Sequence, residues 1–232
     1  MKKDYTHISL VLDRSGSMDS VKADTIGSFN TFLKEQKENP KECTFTLVQF
    51  DNEYEIIHDF VSLKKSKNLT EKTFVPRGMT ALYDAIGRTI NSVGQKLADM
   101  SEEDRPERVI FVVLTDGEEN SSKEFHRDQI NEIIKHQTEK YNWQFIYLGA
   151  NQDAISAAGS IGIKSSNAMT FACNARGISA TATSLSASIS NYRNVSSVYY
   201  SEASATMEAF TDEDRKKQED ILKSSITTSN TL

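Results

Sequence analysis

At 232 residues with 38% apolar side chains, the chain can bury a full core without metal or disulfide staples. A formal charge of -6 and a mean hydropathy of -0.50 argue against nucleic acid as default partner, because phosphate recognition needs a basic surface. The two distant cysteines, Cys43 and Cys173, exclude a disulfide framework or a cysteine zinc site, and no apolar run approaches a membrane span.

The first apolar run, Ile8 to Leu12, is too short for a signal-peptide core and reads as a buried strand. The expectation is a cytoplasmic protein with free thiols. Val21, Ile26, Phe29, Phe32 and Leu33 follow at mostly helical spacing until Pro40 stops the helix. "CTFTLVQF" and "YEIIHDFVSL" are strands whose three-residue link, "DNE", makes them an antiparallel hairpin. Lys64, Lys65, Lys67 and Lys72 are dense enough to suggest a basic patch, but they read as a solvated loop. From about Ala81 to Met100, Leu82, Ile86, Ile90, Val93 and Leu97 recur at steps of three and four, which predicts an amphipathic helix.

Val109 to Leu114 is apolar at every position, as expected of a central strand covered on both faces. A helix carried by Phe125, Ile130, Ile133, Ile134 and Tyr141 follows, then the strand "WQFIYLG". Beyond it, "NQDAISAAGSIG" suggests a short helix, "NAMTFA" a short edge strand, and "GISATATSLSASISNYR" a helix of small residues. Strands alternating with helices predict an α/β doubly wound, mostly parallel sheet with one antiparallel edge strand and helices on both faces. Residues 1–200 are read as one domain, and 201–232 as a polar, acidic tail, partly ordered or disordered.

In such sheets, ligands bind outside the carboxyl ends of strands. Asp13, Ser15 and Ser17 follow the first strand, Thr80 precedes a helix, and Asp116 ends the central strand in "TDGEEN". If the first and central strands are neighbours, these side chains converge. Carboxylates and hydroxyls without Cys or His suit a hard cation, Mg²⁺ first and Mn²⁺ or Ca²⁺ as alternatives. Gly16, Gly78, Gly117 and Glu118 flank the same stretches. Each fragment alone has a plainer reading: a strand-to-helix turn capped by Ser17 or Asp19, an N-cap at Thr80, a common turn at Asp116. Their joint occurrence in chain order favours the cation. The histidines (7, 58, 126 and 136) show no metal spacing, and no Gly-Lys-Ser/Thr follows Gly16 or Gly78. Glu118 and Glu119 are candidate water-activating bases, or a solvated acidic turn.

"DRSGS" with a distant "GMT" and a strand-final "TDG" resembles the von Willebrand factor type A domain and its metal-ion-dependent adhesion site (MIDAS). The family pattern, Asp-x-Ser-x-Ser, then Thr, then Asp, falls on Asp13, Ser15, Ser17, Thr80 and Asp116. The resemblance covers about residues 5–175, and its wording is similar to bacterial and phage members. It implies a Rossmann-like fold, and a bound Mg²⁺ that a partner protein's exposed Asp or Glu completes. It also implies a binding module with no catalytic residues, while the charge and the short apolar runs argue separately against nucleic acid and membrane as partners. The alternatives are a metal-assisted hydrolase, or an adaptor subunit of a larger ATPase, stress-response or phage assembly. The tail's own Glu202, Glu208, Asp212, Glu213 and Asp214 are a further source of acidic groups for such a site.

Overall fold

A computed structural model describes residues 1–150, 153–196 and 207–229. The apolar run at 109–114 lies within strand β4 (Pro106–Thr115), which pairs in parallel with β1 (Lys2–Asp13). The convergence condition is therefore met. β2 (Cys43–Phe50) lies on the other side of β1, and β3 (Tyr54–Ser62) returns antiparallel beside it. β5 (Gln144–Ala150) and β6 (Ala168–Phe171) continue beyond β4 in parallel, giving the order β3-β2-β1-β4-β5-β6. This is the expected doubly wound sheet with a single antiparallel edge strand.

Alternation along the central strands sends side chains to two cores. Leu10, Leu12, Val112 and Leu148 pack on one face, against Phe29 and Leu33 of α1 (Lys22–Glu38) and Leu185 and Ile189 of α5 (Ala175–Asn194). Val11, Val113 and Phe145 pack on the other, against Ile86 and Ile90 of α2 (Leu82–Asp99) and Ile130 and Ile134 of α3 (Arg127–Tyr141). Trp143 belongs to this second core, and the short α4 (Ala154–Ser160) closes it beside β6.

Local differences from the sequence reading have local causes. β1 begins at Lys2, well before the apolar run, because Lys2 N donates to Arg105 O at 2.8 Å as β4 starts. A 3-10 turn, Gly16–Val21, precedes α1, and neither Ser17 nor Asp19 caps that helix.

The boundary placed at 200/201 lies outside the described residues, as does Glu202. Within the tail, expected to be partly ordered or disordered, residues 207–229 are ordered. Met207, Ala209 and Phe210 are buried, and α6 (Asp212–Ser229) buries Gln218 and Ile221. Gln218 accepts from Ala172 N and donates to Gly177 O and Thr181 Oγ1, which docks the helix on β6 and α5. Of the tail's acidic residues, Asp214 accepts hydrogen bonds from Ser184 Oγ and Thr211, while Glu208, Asp212 and Glu213 are exposed. Among the described residues no helix is long and apolar enough to cross a membrane.

Candidate metal centre

Asp13 ends β1 fully buried. Its Oδ1 accepts from Ser15 N at 2.6 Å, and its Oδ2 from Thr115 Oγ1, the last residue of β4, also at 2.6 Å. The turn that follows brings Ser15 Oγ and Ser17 Oγ to 3.1 Å of each other. Ser17 Oγ in turn donates to Asp116 Oδ1 at 2.7 Å. Thr80 is buried, and its hydroxyl faces Gly117: a Cβ built there would lie 3.1 Å from Thr80 Oγ1 and 3.9 Å from Ser17 Oγ. All five predicted ligands thus gather at the carboxyl ends of β1 and β4. Gly117 leaves room for their hydroxyls, and Gly16 donates its N–H to Gly78 O at 3.2 Å.

The electrostatics are those of two carboxylates drawn out of water side by side. Burial pushes the Asp13 carboxyl up to about 6, against the hydrogen bonds from Thr115 and Ser15 and with the neighbouring Asp116 adding to the rise. Desolvation also raises Asp116, which Ser17 partly offsets. No basic side chain compensates either carboxylate among the described residues. Nor do three His, Cys, Asp or Glu side chains group closely enough there to hold a metal by themselves. A cation here would depend on the three hydroxyls beside the two carboxylates, a donor set of hard oxygens. The residues present fit that group.

The loops bearing these groups are held by side chains that the motif does not include. Gly78 has φ +68°, a left-handed backbone that glycine adopts without strain in the turn ahead of Thr80, and a Cβ there would displace the Asn52 amide, whose Oδ1 lies 2.0 Å away. Asn120 closes a reciprocal pair with Thr80: its Oδ1 accepts from Thr80 N at 2.9 Å, and its N donates to Thr80 O at 3.0 Å. Glu119 accepts from Tyr83 N, Ser121 N, Ser122 N and Ser122 Oγ, so both its oxygens are engaged in holding the loop. Glu118 is exposed at the rim. Asp84 of α2 accepts from the main-chain N–H groups of Lys123, Glu124 and Phe125. Burial works against its ionisation, but those three bonds and Arg88 bring its pKa down on balance.

Two further groups went unread in the sequence. Asp51, in the hairpin link, joins Arg14 and Arg77. Cys173 Sγ lies 4.0 Å from Asp116 Oδ2, and burial raises its thiol to about 11. The only sequence hint for Asp51 was an acid directly after a strand; for Cys173 there was none. Of the histidines, His7 and His58 are buried and the other two are exposed.

The family model of the von Willebrand factor type A domain matches residues 7–183. No relative matches among curated proteins. Among solved structures, proximal thread matrix protein 1 from the mussel byssus, with a zinc-occupied MIDAS motif, is 14% identical at a TM-score of 0.57. That alignment covers 78% of this chain and 47% of that one. The PilB minor pilin from Streptococcus sanguinis is 14% identical at a TM-score of 0.57, over 83% of this chain and 63% of its own. A von Willebrand factor type A protein from Catenulispora acidiphila is 12% identical at 0.50, over 81% and 42%. The chain therefore spans about half the length of the structures it matches, and at these identities the likeness is one of fold. With the family model matched over most of its length, on a sheet of the expected order, the chain belongs to the von Willebrand factor type A domain family.

Proposed function

We propose that this domain binds a divalent cation through Asp13, Ser15, Ser17, Thr80 and Asp116, and through it an acidic side chain of a partner protein. One observation carries the reading: two carboxylates and three hydroxyls converge at the ends of two neighbouring strands, with no basic side chain among the described residues to balance them. Exposed Ser17 and half-buried Asp116 leave the cluster open on one side. When bound, the cation supplies positive charge to which an external carboxylate can add; neutral hydroxyls leave that charge less quenched than carboxylates would. Hard oxygen donors favour Mg²⁺, with Mn²⁺ or Ca²⁺ as substitutes. The zinc-occupied MIDAS of the mussel protein supports a divalent ion in this kind of motif.

We read the domain as a binding module rather than an enzyme. Catalysis by activated water needs a base, and Glu119, one candidate, already accepts four hydrogen bonds that build the loop. In the same reading it is a cytoplasmic protein of bacterial or phage type. The test is calorimetric titration with Mg²⁺, followed by capture of partners from host lysate in Mg²⁺ and in EDTA. Thr80→Ala should weaken cation uptake and remove Mg²⁺-dependent capture while the domain stays folded. Capture that is equal in EDTA would end the bridging mechanism.

A further inference from the structure

The loop carrying Asp13, Ser15 and Ser17 and the loop carrying Thr80 come from distant parts of the chain, yet they meet on one buried acid. Asp51 is fully buried just beyond β2. Its Oδ2 accepts from Arg14 Nε at 3.0 Å and from Arg77 Nε at 2.9 Å. Arg14 stands between two of the ligands, Asp13 and Ser15. Arg77 precedes Thr80 by three residues. Asp51 therefore grips the metal-site sequence at one point in each loop.

The main chain repeats the connection. Arg77 N donates to Arg14 O at 2.8 Å, Gly16 N to Gly78 O at 3.2 Å, and Ala81 N to Asp51 O at 3.0 Å. Thr80 is thus flanked on one side by a residue held by the Asp51 carboxylate and on the other by one held by its carbonyl. Arg14 N also donates to Phe50 O at 2.8 Å, and Arg14 pairs with Glu55 on β3. The outer guanidinium of Arg77 reaches Glu53 at 2.5 Å, and Asp51 Oδ1 takes Glu53 N. One buried carboxylate shared by two guanidiniums fixes direction as well as distance, because each Arg Nε has a single N–H to give.

Resting on the cation-binding reading above, we propose that Asp51 is a positioning residue of the site. Its bridge from Arg14 to Arg77 sets the spacing between the Ser15/Ser17 hydroxyls and the Thr80 hydroxyl, and thereby the affinity for the cation. Asp51 touches none of the five ligands directly among its contacts; it acts through the two arginines.

Mn²⁺ titration of the whole chain tests this, using wild type, Asp51→Asn, Arg77→Ala, the double variant, and Asp116→Ala as the direct-ligand control. Asp51→Asn should weaken Mn²⁺ binding by about 10- to 100-fold, the loss typical of groups that orient metal ligands. Arg77 is half-exposed, so Arg77→Ala should leave the melting temperature in EDTA unchanged while still weakening Mn²⁺ binding by several-fold. The double variant should bind no more weakly than Asp51→Asn alone, because both changes break one bridge. If Asp116→Ala abolishes binding but Asp51→Asn binds within twofold of wild type, the bridge is wrong and the site reading survives. If wild type takes up no Mn²⁺, both fall. Should Asp51→Asn fail to fold, unchanged affinity in Arg77→Ala overturns the proposal by itself.

Discussion

The two ends of the central strands handle buried charge in opposite ways. At the carboxyl ends of β1 and β4, Asp13 and Asp116 have hydroxyl and main-chain N–H partners but no basic one among the described residues. At the amino ends, Arg193 is fully buried too, yet it donates to Gln36 O, Gln36 Oε1 and Lys41 O at 2.9 to 3.0 Å. Two of those acceptors are main-chain carbonyls in and beyond the last turn of α1, and the Gln36 amide is itself pinned by its bonds to Ser186 and Ser190, so this charge completes the fold. Hydroxyls are different. Ser17 Oγ donates to Asp116 here, but it can rotate and turn a lone pair to a cation instead. Buried charge met by rigid partners is architecture; buried charge met by rotatable ones is readiness for a ligand.

Each end can be broken separately. Arg193→Ala should be the costliest change, about 3–5 kcal/mol of unfolding free energy, since it opens a cavity and orphans several acceptors. Urea denaturation would measure this, and Mg²⁺ affinity of the folded fraction should not change. Asp13→Asn should act the other way. The rise of Asp13 from 3.8 to about 6 on folding disfavours the cation-free fold by up to about 3 kcal/mol at neutral pH. Because that pKa is raised, the favourable contribution is complete below the unfolded value and is lost as pH rises through about 6. His7, stacked on Phe60 and lowered to about 3 by burial, slopes oppositely: its contribution is lost as pH falls from 6.5 toward 3. The informative quantity is therefore wild type minus Asp13→Asn, followed from pH 4 to 7 in EDTA. The variant should be the more stable at pH 7 and should gain nothing from Mg²⁺, which stabilises wild type by binding only the folded state.

Gly78→Ala should cost about 1–2 kcal/mol from its left-handed backbone. It should also loosen Mg²⁺ binding, because relaxing that backbone moves the turn that leads to Thr80, whereas the exposed Asn52 side chain can swing clear of the added methyl. The smallest effect belongs to Asp116→Asn in EDTA. Its carboxyl is raised like Asp13 but is partly exposed, so the gain should be smaller than that of Asp13→Asn. A gain equal to that of Asp13→Asn would erase the distinction between a fixed ligand and a presented one.

Much of this arrangement was legible because it rests on short-range patterns. The unbroken apolar run of β4 marked a strand covered on both faces, and three residues of link were enough to make β2 and β3 a hairpin. The five clustered side chains could be picked out because strand ends concentrate them at stated spacings. Asp51 could not, because its role exists only where residues 14, 51 and 77 meet in space. Cys173 reaches Asp116 through the order of β4, β5 and β6, which spacing does not reveal. The 207–229 segment was left open between order and disorder for another reason: composition registers its many polar residues, whereas its docking depends on Phe210, Ile221 and the three hydrogen bonds of Gln218.

That segment also bears on how the sheet stops growing. β6 is four residues long, and its surroundings are taken up by the same chain: Arg215 donates to Ser165 O and Ala168 O, and Gln218 receives Ala172 N. At the other edge, β3 breaks register against β2, and Phe60 adopts φ +53°. One margin is occupied and the other is kinked, so neither presents a long straight row of peptide groups to a foreign strand. Both margins are thereby poorly suited to polymerisation along the sides of the sheet.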